Sequence, residues 1–236
     1  NRDGVVDNYD TCVPTGGFIN ALRPVNLAVP LIDAALKGEV AYNTEPQLPL
    51  AKVAEGSTVV FQDDFSDAST GWPSGKNRDE KYDYQDGRYR IEINSNNYIS
   101  PVTKETNLSD VIIDINARVE QSSGDGEFGL ICRYKDYNNM YTFEVTQDGY
   151  YAIYRMLNGT WSPLVDYTYS DLVASLTSAN VQAACIGNTL SLAVEGKVLA
   201  EAQDNSIKSG DYGFFAGTFS NSNHVVSFDN LKVSQP

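Results

Sequence analysis

Residues 111–119 read VIIDINARV, and this stretch decides the fold of most of the chain. Its apolar residues occupy every second position, with Ile112 alone out of phase: Val111, Ile113, Ile115, Ala117 and Val119. Successive side chains of a strand point to opposite faces of a sheet. The pattern therefore predicts a strand with one buried and one solvated face.

The same two-residue period recurs along the chain after residue 56. The apolar members of three further runs are Tyr89, Ile91 and Ile93, then Tyr141, Phe143 and Val145, then Leu190, Leu192 and Val194. Turn signals separate the runs, at Asp86-Gly87, Asp148-Gly149, Asn158-Gly159, Gly187-Asn188 and Ser209-Gly210. Because no long helical stretch intervenes, residues 57–236 are predicted to form a β-sandwich or jelly roll of roughly a dozen strands.

The first 56 residues have a different character. Residues 1–20 form a polar region with glycine and aspartate, and residues 24–37 have the apolar stripe of a short helix that ends at Gly38. Residues 39–56 contain Pro46 and Pro49 with little periodicity, as a linker does. The sequence thus predicts an N-terminal extension over 1–56 and a sandwich domain over 57–236.

Charge and hydropathy exclude several classes of partner. The chain has 31 acidic and 17 basic residues and a net charge of −14. Such a surface repels nucleic-acid phosphates and anionic lipid headgroups, so we expect no nucleic-acid partner. No apolar run approaches the length of a membrane span, so we expect no membrane insertion. The acidic excess suits a soluble extracellular protein and the oxygen ligands of calcium.

A series of short motifs resembles a known class of domain. In chain order they are 63–67 (DDFSD), 71–72 (GW), 87–91 (GRYRI), 128–134 (FGLICRY), 138–145 (NNMYTFEV), 148–151 (DGYY), 187–192 (GNTLSL), 209–214 (SGDYGF) and 228–231 (FDNL). Together they resemble bacterial extracellular domains of the concanavalin/laminin-G-like jelly-roll class. The resemblance implies an all-β sandwich of a secreted or cell-surface protein. Because this fold carries lectins, glycanases and adhesive spacers, it implies no single function.

The resemblance also bears on the three cysteines. Related domains have cysteines at the places of Cys132 and Cys185, which implies a buried disulfide formed in an oxidising compartment. Two separate buried thiols remain the alternative, since free cysteine packs well in cores. Cys12 is then the odd cysteine, and its partner is expected outside this stretch of chain.

Two places are predicted to bind calcium. Residues 1–12 resemble an aspartate-rich loop of the thrombospondin type 3 or dockerin kind, and the motif's first acidic ligand falls before residue 1, which suggests a fragment of a longer protein. The ligands implied there are the side chains of Asn1, Asp3, Asp7 and Asp10 and the carbonyl of Val5. A plain polar tail is the alternative. The second place is the pairing of the domain's first and last strands, where Asp63 and Asp64 are expected near Asp229.

The sequence contains no recognisable catalytic constellation. Residues 16–27 resemble the end of a bacterial trypsin-like protease domain, but no nucleophile motif is present, and His224 is the only histidine. The Glu-x-Asp-x-x-Glu motif of glycanases on this fold is absent. The nearest carboxylates, Glu92 and Glu144, are expected to form ion pairs with Arg90 and Arg133 on a solvated face. We therefore predict that this chain is not an enzyme.

Aromatic residues favour a role in binding. The chain has 15 tyrosines and 2 tryptophans, and sugars stack their CH faces on aromatic rings. The predicted ligand-binding residues are Trp72, Tyr82, Tyr84, Tyr98, Tyr137 and Trp161, with Asp136, Asn138 and Asn139 as polar partners. Tyrosine is also a good strand former, so each ring has a purely structural alternative.

Three functions remain open from the sequence. The first is a secreted carbohydrate-recognising module stabilised by calcium. The second is a structural or adhesive subunit that binds another extracellular protein, or a second copy of itself through residues 1–56. The third is a glycan hydrolase with an unfamiliar pair of carboxylates.

Overall fold

The computed structural model describes residues 57–122, 124–174 and 176–236. The calcium loop of residues 1–12, the helix of 24–37, the linker and the oligomer contact through 1–56 lie outside the described residues and stay predictions. Within the described part of the chain, no helix has the length and apolar character needed to cross a membrane.

The described residues form fifteen strands. They are β1 (Thr58–Asp63), β2 (Gly75–Lys76), β3 (Glu80–Gln85), β4 (Arg88–Ile93), β5 (Tyr98–Leu108), β6 (Val111–Gln121), β7 (Glu127–Asp136), β8 (Asn139–Thr146), β9 (Tyr150–Leu157), β10 (Thr160–Tyr169), β11 (Ser178–Ile186), β12 (Thr189–Val194), β13 (Lys197–Gln203), β14 (Gly210–Thr218) and β15 (His224–Gln235). A 3₁₀ turn spans Ala68–Thr70, and the short helix α1 spans Asp171–Ala174.

The strands build two antiparallel sheets. The nine-stranded sheet has the order β13-β12-β11-β6-β15-β4-β3-β2, and β1 also pairs with β15. The six-stranded sheet has the order β10-β9-β8-β7-β14-β5. Strands β7 and β11 make direct contact across the interior, so the two sheets are stacked face to face. We call the side of each sheet that is turned away from the other its outer face.

The inner faces supply one apolar core, as the alternation predicts. In β6, Ile113, Ile115 and Ala117 are buried, whereas Asn116 and Arg118 are exposed. Strand β8 differs from the prediction, because Met140, Thr142 and Glu144 on its outer face are buried as well. A strand in the middle of a sheet can be covered on both sides, and alternation alone does not distinguish that case.

Aromatic rings fill one part of the core. We call them the aromatic core cluster: Phe61, Phe65, Trp72, Tyr84, Tyr89, Tyr212 and Phe214. The ring of Trp72 lies 5.0 Å from that of Phe214, centroid to centroid, and only 4 % of Trp72 is exposed. Its indole Nε1 donates a hydrogen bond of 2.9 Å to Asp63, which satisfies the polar atom of a buried tryptophan.

A disulfide joins Cys132 of β7 to Cys185 of β11, as the resemblance implies. It therefore links the two sheets. The next residue, Arg133, has a φ of 52° and is 2 % exposed. Its guanidinium donates to the carbonyls of Ser109, Gly187 and Ile207 at 2.7 to 3.0 Å, and so ties together three separate connections.

Candidate functional site

The outer face of the six-stranded sheet carries a line of aromatic side chains along β9 and β10. We call this line the aromatic row; its members are Tyr150, Tyr154, Trp161, Tyr167 and Tyr169. Ring centroids lie 5.5 Å apart for Tyr150–Tyr169, 5.5 Å for Tyr154–Tyr167 and 6.2 Å for Tyr154–Trp161. The row thus consists of a ring pair, Tyr150 and Tyr169, at one end and a group of three contacting rings, Tyr154, Tyr167 and Trp161, toward the other.

Strand geometry places these rings on one face. In β9, Tyr151 and Ile153 pack into the core, so Tyr150 and Tyr154 point outward. In the register of β9 and β10, Tyr169 faces Tyr150 and Trp161 faces Met156. The pairing shifts twice within β10, and such bulges change which side chains point outward.

Both ends of the row are accessible. Tyr169 is 51 % exposed, Trp161 40 % and Tyr150 37 %. Strand β10 is an edge strand of the sheet, so one flank of the row is not bordered by another strand. Pro163 lies within β10, where it removes a backbone donor from that open edge. Exposed aromatic groups of this extent are uncommon on a surface without a ligand or partner.

Two buried carboxylates lie beside the middle of the row. Glu127 is 7 % exposed and Glu144 is 5 % exposed, and we call them the acid pair. The Tyr167 hydroxyl donates to Glu144 at 2.5 Å and lies 3.2 Å from a carboxylate oxygen of Glu127. The Thr142 hydroxyl donates to the other oxygen of Glu144. A Cβ atom at Gly217 would lie 2.4 Å from Glu127 Oε1, so glycine makes room for this side chain.

The acid pair has perturbed protonation. Burial raises the pKa of Glu127 well above its ordinary value, and the neighbouring Glu144 raises it further. Burial also raises the pKa of Glu144, against the hydrogen bonds from Thr142 and Tyr167. One tyrosine hydroxyl supplies only one proton for two carboxylates. The arrangement therefore favours a second proton on the acid pair.

Five of the predicted ligand-binding residues come together at one end of the sheet: Asp136, Tyr137, Asn138, Asn139 and Trp161. They lie in or next to the β7–β8 and β9–β10 turns, which touch through a hydrogen bond from Asn158 N to Asn139 Oδ1 at 3.0 Å. Asp136 accepts hydrogen bonds from both asparagines, so its carboxylate holds the turn. Tyr137 is 55 % exposed and contacts the ring of Tyr134.

The other four predicted residues lie elsewhere. Trp72 and Tyr84 belong to the aromatic core cluster, where the Tyr84 hydroxyl accepts a hydrogen bond from the Trp72 backbone. Tyr82 and Tyr98 are half-buried and pack against the core. A sugar cannot stack on the ring of Trp72 without opening the core.

The three aspartates predicted to bind calcium near the strand ends do not converge. Both oxygens of Asp63 already accept hydrogen bonds, from Trp72 Nε1 and from the backbone of Phe65. Asp64 accepts from Ser66, and Asp229 lies 3.5 Å from Arg88. Among the described residues, no three histidine, cysteine, aspartate or glutamate side chains form a group that fits a metal. Calcium binding at these aspartates stays a prediction, as does the calcium loop of residues 1–12, which is not described.

The predicted ion pair between Glu144 and Arg133 is wrong. Arg133 lies at an irregularity between β7 and β8, and its left-handed backbone directs the guanidinium to backbone carbonyls instead. Glu92 does pair with Arg90, at 2.8 Å, but on the nine-stranded sheet. Glu92 and Glu144 thus lie on different sheets, and the neighbour of Glu144 is Glu127.

A second concave surface lies on the nine-stranded sheet. It is a groove of about 680 Å³ beside β6 and β11, and its lining includes Arg88, Asn116, Arg118 and Asn180. No aromatic ring is among the described residues that line it. It offers hydrogen bonds but no stacking surface, so the aromatic row is the better candidate for sugar binding.

Known structures share the fold at low sequence identity. A carbohydrate-binding module, CBM66, from Bacillus subtilis is 15 % identical over 74 % of this chain and 93 % of that chain, with a TM-score of 0.50. A β-glucanase from Bacillus licheniformis is 10 % identical over 75 % and 97 %, with a TM-score of 0.55. A xylan β-1,4-xylosidase from Bacillus halodurans is 15 % identical over 84 % of this chain and 40 % of that chain, with a TM-score of 0.56.

These similarities confirm the predicted jelly-roll sandwich. At such identities they show the fold alone, because one fold carries many functions. The chain spans about 40 % of the xylosidase but nearly all of the CBM66 module. No family model and no curated protein matches the sequence.

Proposed function

We propose that this domain binds carbohydrate through the aromatic row. The observation that carries the proposal is the set of five aromatic rings on the outer face of the six-stranded sheet, with ring contacts of 5.5 to 6.2 Å within its two groups and exposed ends. Aromatic rings present flat apolar faces to the CH groups of a sugar, and phenol hydroxyls reach its oxygens. Similarity of fold to a carbohydrate-binding module is consistent with this role.

Polar groups beside the row supply directional contacts. The Tyr154 hydroxyl donates to Asp166 at 3.1 Å, which holds that ring on the face of the sheet. Asn138 is exposed near the Trp161 end, where its amide suits sugar hydroxyls, whereas the half-buried Asn139 uses its amide to bond Asp136 and Asn158. The row and its surroundings therefore combine stacking with hydrogen bonding.

A binding assay on the whole chain tests the proposal. We expect Trp161→Ala and Tyr154→Ala each to weaken binding to a glycan identified on an array by about tenfold or more, because each removes a stacking ring. Val60→Ala, an exposed apolar residue of β1 on the other sheet, is the matched control and should leave binding unchanged. If binding survives both aromatic substitutions but is lost in Tyr137→Ala, the site lies at the β7–β8 turn and the proposal fails.

A second candidate function is glycan hydrolysis by the acid pair. Both carboxylates lie within hydrogen-bonding distance of one hydroxyl, so they are within about 6 Å of each other, near the separation in retaining glycosidases. Burial raises the pKa of both carboxyls, as a general acid requires. Release of reducing ends from a bound glycan, abolished in Glu144→Gln and Glu127→Gln but retained in Glu92→Gln, would support hydrolysis.

A further inference from the structure

We infer that the aromatic row binds an extended stretch of an uncharged polysaccharide, recognised along the chain and not at its end. This inference rests on the proposed function and specifies its ligand. It depends on three features of the row: its length, its open ends and the charge beside its centre.

The length of the row exceeds that of a single sugar. Tyr150 is at one end, and Trp161 at the other faces Met156, six residues farther along β9. An extended strand rises about 3.3 Å per residue, so the row spans about 20 Å. Tyr154 and Tyr167, whose rings contact each other, lie between the ends. Only a chain of several sugar rings in extended form reaches all of these side chains.

The ends of the row distinguish a passing chain from a chain end. A chain end is recognised by a closed pocket that surrounds the last sugar and satisfies its extra hydroxyl. Here the terminal side chains, Tyr169 and Trp161, are both among the most exposed apolar groups that the structure describes. The flank along β10 is open as well, because it is an edge of the sheet. A polysaccharide can therefore continue beyond the row in both directions.

The negative charges of the protein favour an uncharged polymer as the ligand. The central ring, Tyr167, contacts both members of the acid pair. No lysine or arginine among the described residues forms an ion pair with Glu127 or Glu144. The chain as a whole carries a net charge of −14. A uronic acid or sulfated unit placed over Tyr167 would be repelled at short range and at long range.

Calorimetric titration with oligosaccharides of increasing length tests the inference. The probes are cello-, xylo- and manno-oligosaccharides from disaccharide to octasaccharide, with polygalacturonate as an anionic polymer. We expect the affinity to rise with length until the row is covered and then to level off. Blocking the reducing end of the longest probe should leave its affinity unchanged, and polygalacturonate should bind more weakly than the uncharged polymers.

Variants at the two ends of the row sharpen the test. Trp161→Ala and Tyr169→Ala should each lower the affinity for long probes by about tenfold and make affinity level off at a shorter length. Affinity that is equal from disaccharide upward, loss of binding on blocking a chain end, or a preference for polygalacturonate would overturn the inference and leave the proposed function standing. Absence of binding to every glycan would overturn both.

Discussion

The aromatic core cluster and the aromatic row both contain tyrosine and tryptophan, but in opposite environments. In the cluster, Phe65, Trp72 and Tyr89 are at most 4 % exposed, and their rings meet between the sheets. In the row, Trp161 and Tyr169 are 40 % and 51 % exposed and lie on the far side of one sheet. A ring therefore stabilises the fold when its strand position points toward the opposite sheet, and remains available to a ligand when that position points away. Residue type does not decide between the two.

The largest expected effect separates the two tryptophans. Trp72→Ala should lower the free energy of unfolding by about 4 kcal/mol, because it leaves a cavity in the core and removes the partner of Asp63. Urea denaturation followed by fluorescence measures this change. Unfolding of Trp72→Ala at the same urea concentration as the parent protein would contradict the stabilising role of Trp72 in the core.

The buried imidazole of His224 provides a second test of the core. His224 has no exposed surface, and neither ring nitrogen makes a hydrogen bond with a described residue. Burial lowers its pKa from 6.5 to about 4, and the nearby backbone of Glu127 and Gln121 and the Asp125 carboxylate oppose this only in part. Above pH 6.5 the ring is neutral in both states. Stability should therefore fall as pH drops from 6.5 to 4, by about 3 kcal/mol in all.

Replacement of the histidine isolates its contribution. In His224→Phe the difference in unfolding free energy between pH 7 and pH 4 should shrink by about 3 kcal/mol relative to the parent protein. Unfolding in urea at several pH values measures this difference. An unchanged pH dependence would mean that the ring binds protons equally in the folded and unfolded states, and that it is not shielded from water as Trp72 is.

The acid pair, which lies beside the aromatic row, is expected to give a smaller pH dependence of stability. Its sign is opposite to that of His224. Because the pKa of Glu127 is raised on folding, its proton stabilises the folded state below about pH 4.5, and this contribution is lost as pH rises through the folded pKa. Glu127→Gln should therefore stabilise the protein at pH 8 by about 1–2 kcal/mol and have little effect at pH 4. Glu92→Gln, on the solvated face of the other sheet, is the matched control and should show no such trend.

The smallest expected effect concerns the row itself. Trp161→Ala should change the free energy of unfolding by less than about 1 kcal/mol, since its ring is partly exposed and leaves no closed cavity. Glycan binding, in contrast, should weaken by about tenfold or more. Parallel urea and binding measurements on one preparation make this comparison directly. A stability loss as large as that of Trp72→Ala would assign the row a structural role.

The period-two pattern was sufficient to predict the sandwich and the inner faces of its strands. In β4 the predicted apolar positions Tyr89, Ile91 and Ile93 are all buried, and the polar positions between them are not. Local signals also predicted turns correctly: Asn158 and Gly159 have φ values of 50° and 77°, as a tight hairpin turn requires. These features depend on neighbouring residues alone.

The candidate site depends on distant residues and was predicted only in part. Trp161 was identified, but Tyr150, Tyr154, Tyr167 and Tyr169 were not, although Tyr150 and Tyr154 share one parity in the sequence. The position of the opposite sheet determines which alternate residues of a strand point outward. The bulges of β10 then change which of its residues do so. Trp72 follows a glycine and looks like a loop residue, but its ring packs on Phe214 of β14.

The acid pair illustrates the same limit. Glu127 and Glu144 meet because of the register between β7 and β8, in which Glu127 faces Thr146 and Glu144 faces Gly129. A shift of one residue would place either carboxylate on the opposite face. Sequence spacing therefore gave no reason to choose Glu127 as the neighbour of Glu144.

The disulfide between Cys132 and Cys185 has a further consequence for resistance to proteolysis. The two cysteines are separated by 53 positions, and the segment between them carries β8, β9 and β10 with the whole aromatic row. A protease that cuts an exposed turn of this segment, such as Asn158-Gly159, leaves both fragments joined through sulfur and through their strand pairs. The aromatic row thus lies in a loop that the disulfide closes. A single cut in this loop leaves both pieces covalently attached.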